Sequence, residues 1–130
     1  MDSALWGLVG LAVTVLLHIA VQGLTLKQAA GNAWSVGPRD QPVALGPVHG
    51  RLRRAVDNLL ESAPVFLALA LVAHLADRTG PLVEAGIAMF LAGRIAYLPA
   101  YASGLPWLRT VFWYVAGVGL LFMLIGVVLP

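Results

Sequence analysis

Residues 111–129, VFWYVAGVGLLFMLIGVVL, contain no charged side chain, and no other feature restricts the fold of this chain as strongly. As a helix, an apolar run of roughly 20 residues crosses the hydrocarbon core of a bilayer. Three further runs have the same character, at about 4–26, 56–76 and 81–101, and the last, with its polar first turn, covers about 107–129. Inside a membrane every backbone N–H and C=O must be satisfied within the protein, so a spanning segment is a helix or a strand of a closed barrel. These runs lack the alternation, and the chain the number of segments, that a barrel needs. The expected fold class is therefore all-α: an integral membrane four-helix bundle, a single transmembrane domain over residues 1–130.

Composition agrees. Of the 130 residues 60% are hydrophobic and only 11% charged, too little charge to cover a soluble domain of this length. The absence of cysteine excludes disulfides, thiolate metal sites and a cysteine nucleophile. The N-terminus, MDSALWGLVG, has Asp2 where a signal peptide carries a basic region, so the first run is expected to stay as a helix.

The connections differ in kind. DRTGP and SGLP read as tight turns, with Pro81 and Pro106 near the first turn of the next helix, where the missing N–H costs little. The first connection, about 27–50, is longer, and Pro38, Pro42 and Pro47 predict an irregular loop through its second half. Lys27, Arg39, Arg51, Arg53 and Arg54 cluster at this loop, and Arg94 and Arg109 flank the turn between helices three and four. The positive-inside rule places the 27–54 segment in the cytoplasm and both termini outside.

The stretch RLRRAVDNLLESAPVF, residues 51–66, carries polar groups into the second apolar run. On a helix Arg54, Asn58 and Glu61 fall at i, i+4 and i+7 and share one stripe, with Asp57 about 60° to its side. Arg51 and Arg53 read as headgroup anchors. Glu61 lies two turns deeper, where a carboxylate must pair, face a wet cavity or be neutral. An ion pair between Arg54 and Glu61, or one between helices, would meet that need, and pairing is compatible with ligand binding. Arg94, Tyr97 and Tyr101 form a second stripe on helix three, although tyrosines at this depth also serve as interfacial belt residues. Arg109, read by itself, is an interfacial anchor. One membrane face thus offers arginine cations, the carboxylates of Glu61 and Asp57, and the neutral donors and acceptors of Asn58, Tyr97 and Tyr101. That inventory suits a small zwitterionic or polyanionic ligand. His18, His49 and His74 are scattered and read as packing or interfacial residues, so no metal site is expected. No phosphate-binding loop, dinucleotide fingerprint or serine elbow is present, and nothing points to nucleic acid.

The pattern R-A-x-x-N-x-x-E-x-x-P-x-F, carried by Arg54, Ala55, Asn58, Glu61, Pro64 and Phe66, resembles the second-helix signature of the MAPEG family, the membrane-associated proteins in eicosanoid and glutathione metabolism. GRIAYLPAYASGLPWLRT is similar to the family's third-helix R-x-x-Y-x-x-x-Y segment and the arginine that opens helix four, and GNAWSVGPRDQP to the loop of bacterial members. The resemblance implies a homotrimer of four-helix protomers in a bacterial inner membrane, with glutathione as co-substrate between subunits near the cytoplasmic face. Arg54, Asn58 and Glu61 would bind it from helix two, and Arg94, Tyr97 and Tyr101 belong to the same binding set, the tyrosines reaching it from the neighbour. Arg109 would lie closest to the sulfur and act as the catalytic residue. A small lipophilic substrate would arrive from the surrounding lipid for conjugation or peroxide reduction. The chain departs from the eicosanoid-type pattern at Gly31 and Asn32, where those members carry arginines, leaving Lys27 as the nearest cation. Two alternatives stay open: a non-catalytic membrane scaffold or lipid-binding protein on the same fold, and a small four-helix exporter, against which the arginines and the Pro-rich loop argue.

Overall fold

The computed structural model describes residues 1–129. Four long helices carry the fold: α1 (Ser3–Ala30), α3 (Pro47–Leu75), α4 (Pro81–Ser103) and α5 (Pro106–Val128), with a short α2 (Asn32–Val36) in the first connection. All four long helices are apolar and long enough to span a membrane, and no strand occurs among the described residues.

Local chemistry sets the ends. Asp2 caps α1 by accepting a hydrogen bond from Leu5 N–H at 2.9 Å. Proline opens α3, α4 and α5, where its fixed φ suits the first turn and its missing N–H would be unpaired anyway. Gly104 closes α4 in the left-handed region at φ 79°. Two helices run past their apolar cores. α1 reaches Ala30 and α3 begins at Pro47, so the irregular segment shrinks to residues 37–46. At 29 residues α3 is about 44 Å long, well beyond a hydrocarbon core of about 30 Å. The apolar run marks only the membrane-buried part; the arginine-rich turns are good helix formers and continue it into the polar zone. Pro47, read as a loop proline, is the first residue of α3.

α4 and α5 form the closest pair because glycines face each other across it. A Cβ at Gly86 would lie 2.6 Å from the Gly119 carbonyl oxygen, and one at Gly119 would lie 2.7 Å from that of Gly86. Small residues allow such approach, which drives association in lipid, where apolar burial alone gives little. α1 lies against α3 and α4, and Phe66 of α3 stacks on Phe90 of α4 with ring centroids 4.6 Å apart. The apolar interior falls into two clusters. The larger holds Leu11, Leu59, Phe66, Phe90 and Met123; the smaller, nearer the first connection, holds Leu52, Ala55, Tyr97 and Leu98. Between them along the helices lie His18, Asn58 and Arg94.

At the far end Asp2 also pairs with His74 Nδ1 at 2.6 Å, tying the start of α1 to the end of α3. The Leu5 N–H bond first and the His74 bond second hold the Asp2 carboxyl below its usual range.

Two outcomes follow from this packing. Gly86→Ala forces α4 from α5 and is expected to lower stability in detergent by about 1–3 kcal/mol. Gly117→Ala, where an added Cβ meets nothing within 4 Å and the helix loses a flexible glycine, is expected to hold or raise the melting temperature. For Asp2, a carboxyl with a depressed folded pKa stabilises above its unfolded value near ~3.9 and loses that contribution as pH falls through the folded one. Asp2→Ala should therefore melt earlier than the parent at pH 7 by circular dichroism, and the gap should close as the pH drops below about 4.

Candidate functional site

The start of α3, the end of α4 and the start of α5 meet at the end of the bundle that carries the first connection. α3 presents Arg54 and Asn58 one turn apart, α4 presents Arg94, Tyr97 and Tyr101, and the SGLP turn places Arg109 in the first turns of α5. Arg94 is only 3% exposed, and its Nη1 donates to Asn58 Oδ1 at 2.6 Å. Its guanidinium also sits 5.4 Å from the Phe90 ring centroid and 5.6 Å from that of Tyr97. A guanidinium can only donate, so the Asn58 amide must turn its oxygen to Arg94 and keep both N–H donors free of it.

Tyr101 is the second junction. Its hydroxyl accepts from Arg54 Nε at 3.1 Å. The Arg54 and Arg109 guanidinium carbons lie 5.8 and 5.3 Å from its ring centroid, within cation–π range. Tyr97 meets it edge to face at 5.3 Å. Arg51, on the outer turn, donates to the Ala102 carbonyl at 3.3 Å and secures the end of α4. Beside these groups opens a cleft of about 300 Å³, lined by Asn58, Tyr97, Tyr101, Arg109, Thr110, Trp113 and Tyr114.

A larger cleft of about 560 Å³ opens at the opposite end, between the α3–α4 turn and the last turns of α5. Its lining is apolar apart from Asp77 and Arg78, and Arg78 Nη1 already donates to the carbonyls of Val127 and Leu129, at 3.1 and 2.8 Å. Convergent polar groups, not volume, mark a site that can orient a ligand, so the smaller cleft is the candidate. No group of three His, Asp or Glu side chains able to hold a metal occurs among the described residues.

Of the residues singled out by sequence, Asn58, Tyr97, Tyr101 and Arg109 line the cleft. Arg54 touches Tyr101 from its edge, and Arg94 stands behind the wall and reaches it through Asn58. Glu61 and Asp57 are exposed and line no part of it, and the Arg54–Glu61 ion pair does not form; Asp2–His74 is the one acid–base pair within 4.0 Å among the described residues. Thr110, Trp113 and Tyr114 escaped sequence reading. Their signal is the i, i+3, i+4 spacing one residue beyond Arg109, which is hard to tell from an interfacial aromatic belt.

The family model described as MAPEG family matches residues 3–129, nearly the whole chain. The chain belongs to the MAPEG family. Neither the comparison with curated proteins nor that with solved structures returns a match. Membership and four apolar helices together make it an integral, multi-pass membrane protein, and the family includes glutathione transferases and peroxidases.

Asn58→Leu removes the acceptor from a buried guanidinium and is expected to cost about 1–3 kcal/mol. The double variant Asn58→Leu/Arg94→Leu should recover part of that loss, a non-additivity read by denaturation in detergent.

Proposed function

We propose that this MAPEG protein is a membrane-embedded, glutathione-dependent transferase or peroxidase for lipophilic electrophiles, assembled as a homotrimer. The observation that carries the reading is the donor bias of the cleft. The Asn58 amide has its oxygen taken by Arg94, Arg109 is a permanent cation, and the N-terminus of α5 adds the positive end of its dipole. Such a lining favours an anion with several acceptor oxygens, as in the carboxylates of glutathione. The tyrosine hydroxyls and Thr110 can complete its hydrogen bonds. Glu61, outward on α3, is left to meet the ligand ammonium or a neighbouring protomer. By the same reading the first connection faces the cytoplasm of a bacterial inner membrane, with both termini outside.

Arg109 has the catalytic role. A free thiol titrates near ~8.5, and its thiolate is the nucleophile. A guanidinium within hydrogen-bond reach in a partly dehydrated site stabilises the thiolate, each unit of lowering being worth about 1.4 kcal/mol. In conjugation the thiolate sulfur bonds the electrophilic carbon, and the leaving group departs with its electron pair. In peroxide reduction the sulfur attacks one peroxide oxygen and the O–O bond breaks. The other oxygen leaves as an alcohol after protonation, and a second glutathione converts the sulfenic acid to disulfide and water. The electrophile enters sideways from lipid, past the exposed Trp113 and Tyr114.

A second reading, a scaffold or lipid-binding protein on the same fold, draws on the outward Glu61 and on Gly31 and Asn32, which supply no helix-one arginine. One experiment separates the two. In detergent, glutathione at ten times its Kd should stabilise the protein by about 1.4 kcal/mol and produce thiolate absorbance that Arg109→Ala removes. No stabilisation and no thiolate signal at millimolar thiol would reject the enzymatic reading.

A further inference from the structure

The polar layer between the two apolar clusters has a member that the cleft does not use. His18 of α1 is fully buried, and its Nδ1 lies 2.8 Å from the Thr14 carbonyl oxygen. A carbonyl only accepts, so Nδ1 carries the proton, and in the neutral ring Nε2 is a bare lone-pair acceptor. Nε2 is buried with no partner among the described residues, and so is Nε–H of Arg94, a donor. The two unpaired atoms are opposite in sense.

They also lie at one level. α1 and α4 run the same way, with Gly7 against Ile87 and Gly10 against Leu91. One further turn on each helix brings Thr14 level with Arg94. The His18 ring leans back toward Thr14, as helical side chains lean toward the N-terminus, and the Arg94 charge acts on it. Buried polar groups in native proteins are almost always satisfied, by protein or by one ordered water.

We propose that His18 is a positioning residue of the cleft: its Nε2 accepts from Arg94 Nε–H through one buried water and fixes the guanidinium that turns Asn58. α1 thereby acts on the site from its middle. Thr14 supports the device, its carbonyl setting the His18 tautomer while its hydroxyl donates to the Gly10 carbonyl at 2.8 Å. The consequence for ligand binding rests on the thiol reading above; the link between His18 and Arg94 does not.

The test uses the ¹⁵N-labelled full chain in lipid nanodiscs, without thiol and then with glutathione. Without thiol, His18 should show a protonated Nδ1 and an unprotonated, hydrogen-bonded Nε2, and Arg94 Nε–H should exchange slowly. A water cross-peak at Arg94 Nε–H is expected from the bridging water. His18→Phe, which fills the space without an acceptor, should shift the Arg94 Nε–H and Asn58 amide signals, and His18→Gln should restore them. With glutathione, His18→Phe should raise Kd about three- to tenfold, the range of one lost hydrogen bond, and His18→Gln should stay near the parent. A protonated Nε2 in the parent protein, or Arg94 and Asn58 signals unmoved in His18→Phe, overturns the proposal. Should His18→Phe not fold, the parent tautomer and Arg94 exchange decide alone. Failure of the parent to bind glutathione, with the link intact, overturns the thiol reading and leaves the His18–Arg94 contact established.

Discussion

The hydrogen bond from Arg94 to Asn58 is the constraint around which this end of the bundle is arranged. A guanidinium 3% exposed inside a membrane bundle is costly unless its donors and charge are met. No carboxylate lies within 4.0 Å of it among the described residues, and Glu61 acts on its charge only from farther away. Asn58 takes one donor, and the faces of Phe90 and Tyr97 offset part of the charge. Neutral partners leave Arg94 a net cation behind the cleft wall. A carboxylate partner would have cancelled the field that Arg94 adds to that of Arg109. The same contact pins the rotation of α3 against α4, because sliding either helix by one residue would leave both groups unpaired.

That rotation is affordable only because α4 is held firmly on its other side. The mutual approach of Gly86 and Gly119 brings α4 and α5 backbones together, and the short SGLP turn returns the chain at once into α5. Arg109 therefore arrives beside Tyr101 as a consequence of a two-helix hairpin, with little freedom of its own. Tyr101 then gathers Arg54 from α3 and Arg109 from α5 about one ring, so three helices are fixed relative to one another by a single side chain.

Much of this was legible in the sequence. Four apolar runs bounded by Pro and Gly define the helices, and the spacings of Arg54–Asn58 and Arg94–Tyr97–Tyr101 define their polar faces. What periodicity cannot supply is the neighbour. The angle of Glu61 on α3 is close to that of Arg54, yet the start of α5 and the end of α4 cover only the outer part of that stripe, so Asn58 faces the cleft and Glu61 does not. Arg94 reads as a ligand-facing cation by its stripe, but the packing of α4 turns it inward and leaves the ligand side to Asn58. The early start of α3 at Pro47 was hidden because hydropathy locates the bilayer, not the helix end. His18 reads as a lone packing histidine; only the fold shows that its Nε2 and the Nε–H of Arg94 are both buried without a partner among the described residues.

The departure at Gly31 and Asn32 acquires a structural meaning from the same facts. Gly31 ends α1 at φ 80° and ψ 164°, a conformation that only glycine adopts without strain, and its N–H closes the helix on the Lys27 carbonyl. An arginine at position 31 would strain that cap, so the local backbone, and not just the residue type, differs from a helix that carries a ligand-binding arginine through its last turn. Beyond the cap, Asn32 begins α2; Lys27 is exposed, and neither lines the cleft. α1 therefore contributes no charge to the site from its end. Its contribution, in the arrangement proposed for His18, comes from its interior, and the positive character of the cleft rests on Arg109 and α5 in front with Arg94 behind.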